Sequence, residues 1–124
     1  MNKIGRLYIL LSWTLAVFML ISFPMPAYEG TKITIYDKFV HAFLFGVFSY
    51  LVIYNLVPFR GKKLKLSFIL LIGFTAGTVY SGFSEYLQIF VPGRTVSEYD
   101  FMGGVAGVLV SLIISYAVFR KRKA

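Results

Sequence analysis

The sequence predicts an all-α protein, a bundle of four transmembrane helices with both termini in the cytoplasm. Two observations carry that prediction. Apolar residues make up 58% of the 124 and charged residues 15%, whereas a soluble domain has about 45–50% and about 25%. A domain this small cannot hide so much apolar surface behind so few charges, which excludes a soluble monomer, a disordered tail and a coiled coil. The charges also interrupt the chain at intervals, leaving uncharged runs at 7–23, 39–59, 66–84 and 101–119. A helix crossing a hydrocarbon core about 30 Å thick needs roughly 17–25 apolar residues, and an isolated strand cannot satisfy its backbone there. The 13 Phe and 9 Tyr suit a bilayer and its interfaces.

The chain reads as one membrane domain, 1–124, with helices at about 7–23, 38–59, 66–91 and 98–119. The first run follows Lys3 and Arg6, as a signal peptide would. It is longer than an ordinary signal core, and Met25-Pro26-Ala27 is a poor cleavage site, so it is read as a span. Pro24 and Pro26 end it. Asp37 then suits the positive end of the second helix, with His41 one turn deeper on the same face. The third helix carries Gly73, Gly77, Ser81 and Glu85 at four-residue spacing, with Gln88 one turn beyond, and stops at Pro92-Gly93. Small residues so spaced let helices approach closely in lipid. In the fourth, Asp100, Gly104, Gly107 and Ser111 share a face with Gly103 beside them, and Thr95 or Ser97 can cap the start.

Orientation follows from charge. The two tails and the loop at 60–65 hold ten basic residues and no acidic one, while the opposite loops mix Lys32, Lys38 and Arg94 with Glu29, Asp37, Glu98 and Asp100. Basic residues accumulate on the cytoplasmic side. Topology thus accounts for the net charge of +8 without a nucleic-acid partner.

Asp37, Lys38, His41, Glu85, Gln88, Arg94, Ser97 and Asp100 then collect at the outer leaflet, as candidate ligand-binding residues. Each has a plain structural role available: helix-start anion, interfacial cation, inter-helix bridge or ion pair. Glu85 stands apart, because an ionisable group inside a span is costly and marks function by default. Gly73, Gly77, Ser81, Gly103, Gly104 and Gly107 are assigned to helix packing, within one chain or between chains of an oligomer.

Asp37-Lys38-x-x-His41 opening a span, Glu85-x-x-Gln88 ending the next, Pro92-Gly93-Arg94, and Asp100 before a glycine-rich helix resemble the VanZ-like family over residues 37–110. Many relatives have Asn where this chain has Gly104, so no role that depends on that amide carries over. The family is named for an accessory protein of resistance to glycopeptide antibiotics, chiefly teicoplanin. The resemblance implies a multi-pass protein of the bacterial cytoplasmic membrane connected with the cell envelope.

Two functions follow as expectations. In the first, the outer pocket binds an amphiphile, either a lipid-linked envelope precursor or a lipoglycopeptide. Lys38 and Arg94 would hold its anionic groups, Glu85, Gln88 and Asp100 its hydroxyls or amides, and Phe-rich walls its acyl chain. In the second, His41 and Glu85 are an acid–base pair acting on a lipid substrate, with Asp100 orienting the histidine. Proton-coupled transport is weaker, since the cytoplasmic halves lack an ionisable residue to complete a path. No cofactor is expected. No metal is expected either: with one His and no Cys, a zinc site would need His41 with Asp37, Glu85 and Asp100, oxygen-heavy for zinc, and Lys38 and Arg94 oppose calcium. No phosphate-binding or nucleophile-elbow motif is present.

Overall fold

A computed structural model describes residues 2–22, 32–59, 64–91 and 98–121, which are helical almost throughout. The helices are α1 (Lys3–Ser22), α2 (Lys32–Leu56), α3 (Leu66–Gln88) and α4 (Glu98–Phe119), with a short 3₁₀ turn, Val57–Phe59, after α2. Each helix is long and apolar enough to cross a membrane.

The helix ends differ from those the sequence implies. α1 starts four residues earlier, at Lys3, because the polar residues before the apolar run continue its turns. α2 starts at Lys32 rather than 38, although its apolar span runs Lys38–Leu56. Asp37 therefore lies within α2 and not at its start, and His41 sits nine residues along the helix, about 13.5 Å from its beginning. α3 ends at Gln88 instead of 91, leaving Glu85 three residues from the end, about 4.5 Å.

Consecutive helices run antiparallel. Trp13 Nε1 donates to the carbonyl of Leu44 at 3.0 Å and Arg6 Nη1 to that of Tyr54 at 3.1 Å, so α1 descends as α2 ascends. Ser49 Oγ donates to the carbonyl of Gly73 at 2.9 Å, joining α2 to α3. The Arg6 guanidinium also lies 4.3 Å from the centre of the Tyr54 ring, near the negative end of α2. Arg6 and Arg120 consequently share one end of the bundle, while Lys38, Glu85 and Asp100 share the other.

Two apolar clusters form the interior. One gathers Val17, Ile21, Leu44, Phe45 and Val108; the other, nearer the termini, gathers Ile53, Ile69 and Phe119. Several further buried positions are small and polar: Ser49, Ser81, Ser84, Ser111 and Ser115. The outward faces are the reverse, with Leu15, Phe43, Val79, Phe83 and Ile113 all exposed. Lipid tails are as apolar as Leu, so helix association rests on close packing and inter-helix hydrogen bonds.

α2 and α4 make the closest approach. A side-chain carbon at Gly103 would stand 3.0 Å from the carbonyl oxygen of Lys38. One at Gly77 would stand 2.6 Å from Val108, which joins α3 to α4, and Gly73 faces Ile53 of α2 in the same way.

Candidate functional site

Three helices each contribute one ionisable side chain to the end of the bundle that carries Lys38. His41 comes from α2, Glu85 from the last turn of α3, and Asp100 from the first turn of α4. His41 Nε2 lies 3.3 Å from Glu85 Oε1. One donor atom from each of the three residues lies within 4.8 Å of the other two. All three are buried, at 4%, 7% and 7% exposure.

The local sequence explains the placement. Gly73, Gly77, Ser81 and Glu85 repeat every four residues, so the stripe that packs also turns Glu85 inward. Gly104 lies one turn from Asp100. A side-chain carbon there would overlap Ser81 Oγ and stand 3.1 Å from the Phe45 ring. Gly104 thus lets the hydroxyl of Ser81 and the Phe45 ring close the space beside the cluster. The His41 ring lies 5.9 Å from that of Phe45. Gln88, on the same stripe, is 2% exposed. Gln88 Oε1 and Ser81 Oγ have no hydrogen-bond partner among the described residues.

Lys38 stands outside this cluster. Its Nζ lies 4.9 Å from the centre of the Tyr99 ring, in a cation–π contact between the start of the α2 span and the first turn of α4. Arg94 and Ser97 lie outside the described residues, as does the side chain of Asp37.

A second feature was not legible as a site from the sequence. Phe39, Phe43, Val47 and Tyr50 of α2 and Val110 and Ile114 of α4 line an apolar groove of about 610 Å³, floored by Ala42, Gly46 and Gly107. Its rims, Phe39, Phe43, Val110 and Ile114, are exposed on the outer surface of the helices. Its signal was the alternation of large aromatic and small residues along α2. Phe39 and Phe43 leave α2 on the face opposite His41, so groove and cluster lie on two sides of the α2–α4 seam.

A buried imidazole beside two carboxylates can exchange protons or hold a cation, and the groove can take an aliphatic chain. No protein-family model, no curated protein sequence and no solved structure matches the chain. The fold defines the class of protein, a multi-pass membrane protein.

Proposed function

We propose that the protein binds an amphiphilic component of the bacterial cell envelope, from within the outer leaflet of the cytoplasmic membrane. The observation that supports this most directly is the apolar groove between α2 and α4, about 610 Å³ and opening sideways to lipid. That volume suits a ligand-sized apolar group, and in a bilayer such a groove fills with an acyl chain. Phe39, at its rim, adjoins Lys38, whose ammonium reaches Tyr99 of α4. Lys38 there takes an anionic head group, the role the sequence also suggests for Arg94, between α3 and α4 in chain order. The orientation rests on the excess of basic residues at the other end of the bundle. The motif likeness to the VanZ-like family suggests the ligand class, a lipid-linked envelope precursor or a teicoplanin-type lipoglycopeptide.

Saturable photo-crosslinking of an acyl-diazirine precursor analogue, or of teicoplanin, to the purified protein tests this reading. Val110→Trp fills the groove and should abolish labelling, while Ile113→Trp, exposed outside the groove, should leave it intact. Equal labelling of the two variants overturns the reading.

A second reading has one observation in its favour, the 3.3 Å approach of His41 Nε2 to Glu85 Oε1. Such a pair can act as acid and base on a lipid substrate, with Asp100 orienting the imidazole. Identical lipid profiles from cells making the wild-type and His41→Ala proteins would exclude it.

A further inference from the structure

We propose that His41, Glu85 and Asp100 form a binding site for a divalent transition-metal ion of the zinc class. This goes beyond the amphiphile reading and does not depend on it, since cluster and groove lie on opposite sides of the α2–α4 seam.

The geometry carries the proposal. Three donors of metal-binding type converge from three separate helices, each within 4.8 Å of the others. Zinc bonds to imidazole nitrogen and carboxylate oxygen are about 2.0–2.2 Å, which puts neighbouring ligands of a tetrahedral site about 3.3–3.5 Å apart. His41 Nε2 and Glu85 Oε1 stand 3.3 Å apart. Asp100, with a carboxylate oxygen within 4.8 Å of the other two donors, would complete a face of the tetrahedron by closing in on the ion, leaving a fourth position open.

Charge and surroundings agree. Two carboxylates match the charge of a divalent ion, and although the set is oxygen-rich for zinc, the imidazole supplies the nitrogen donor that distinguishes a transition metal from magnesium or calcium. Of the two basic residues expected to oppose a cation, Lys38 holds its ammonium over the Tyr99 ring, and Arg94 lies outside the described residues. A separate observation also points to a ligand here. Gln88 Oε1 and Ser81 Oγ flank Glu85 along α3, are buried, and have no hydrogen-bond partner among the described residues. Ser81 Oγ lies against Gly104, one turn from Asp100. Such oxygens supply the fourth ligand, or orient the first three directly or through a metal-bound water.

The test uses the full chain carrying no polyhistidine tag, stripped with chelator in detergent and dialysed against cobalt(II) or zinc(II). The expected result is one ion per chain by mass spectrometry, intense visible absorption for cobalt, and displacement of cobalt by zinc, which such sites hold more tightly. Glu85→Gln and Asp100→Asn keep shape and remove a ligand charge. Each should weaken binding by more than the roughly 10–100-fold that loss of an outer-shell partner costs. Ser115→Ala, distant along α4, should bind as wild type. Retention by wild type of no more metal than the His41→Gln/Glu85→Gln/Asp100→Asn triple variant overturns the proposal. If the variants do not fold, the cobalt spectrum of the wild type decides: a tetrahedral spectrum with a nitrogen ligand supports the site, and a hexa-aquo spectrum overturns it.

Discussion

The backbone of Gly107 rests against the carbonyl of Ala42 with no room for a side-chain carbon between them. Across the same seam, a carbon at Gly46 would stand 2.9 Å from the carbonyl oxygen of Gly107. Neither backbone can yield as a flexible side chain would, so the α2–α4 contact is set by the absence of Cβ atoms.

Gly107→Ala should accordingly destabilise the bundle by at least the roughly 1–3 kcal/mol typical of overpacking, despite the better helix propensity of Ala. Gly82→Ala is the control. Its new carbon would meet the Phe101 ring at an ordinary 3.4 Å, so it should be neutral or stabilising by up to about 1 kcal/mol. Denaturant unfolding in mixed micelles, followed by far-ultraviolet circular dichroism, separates the two.

Gly104 and Ser81 should behave as a coupled pair. Gly104→Ala brings a carbon onto Ser81 Oγ, and Ser81→Gly removes the obstruction. A double-mutant cycle should give a coupling of about 0.5–3 kcal/mol, with the double variant more stable than the sum of the single losses implies. Purely additive losses would mean that the hydroxyl rotates away at no cost.

The chain has no cysteine, which makes topology directly measurable. Glu98→Cys, exposed in the first turn of α4, should react with a membrane-impermeant maleimide in intact cells. Lys121→Cys, exposed just past the end of α4, should react after permeabilisation. The reverse pattern would invert the orientation and remove the outer-leaflet assignment.

α1 buries Val17 and Ile21, and polar contacts do much to hold it. Tyr80 OH donates to the carbonyl of Thr14 at 2.7 Å, and Asn55 Nδ2 to that of Arg6 at 3.1 Å. Tyr80→Phe should cost about 0.6–1.7 kcal/mol, the range for inter-helix hydrogen bonds in lipid. Trp13 is the single tryptophan, so its fluorescence reports on α1. The fluorescence midpoint in a denaturant titration should fall below that from circular dichroism, and Tyr80→Phe should widen the gap.

Four apolar runs in the sequence correspond to four helices because the bilayer requirement is one of length and composition, both of which can be counted. The ends were harder to read. Hydropathy changes at Lys38, but the hydrogen-bond ladder of α2 continues back to Lys32, since a helix once formed adds one hydrogen bond per residue whatever the hydropathy of its side chains. Glu85 was readable from its stripe, because four-residue spacing fixes one face of a helix without any knowledge of its neighbours. Spacing within one helix could not say that Phe45 and Ser81 would close the space beside the cluster, or that the Phe-rich wall and the carboxylates would part to opposite sides of α2. Those are relations between helices, set by where the glycines let backbones meet.

Asp100 lies in the first turn of α4, which follows the other three helices along the chain and also carries Gly103, Gly104 and Gly107. His41 and Glu85 enter the membrane on earlier spans, and until α4 arrives neither has its third neighbour nor its closest packing partner. Docking of α4 and completion of the polar cluster are thus a single event in biogenesis. A chain stopped before α4 would leave His41 and Glu85 without Asp100 and without the helix that packs over them, so the earlier spans meet the cost of holding those two groups until α4 docks.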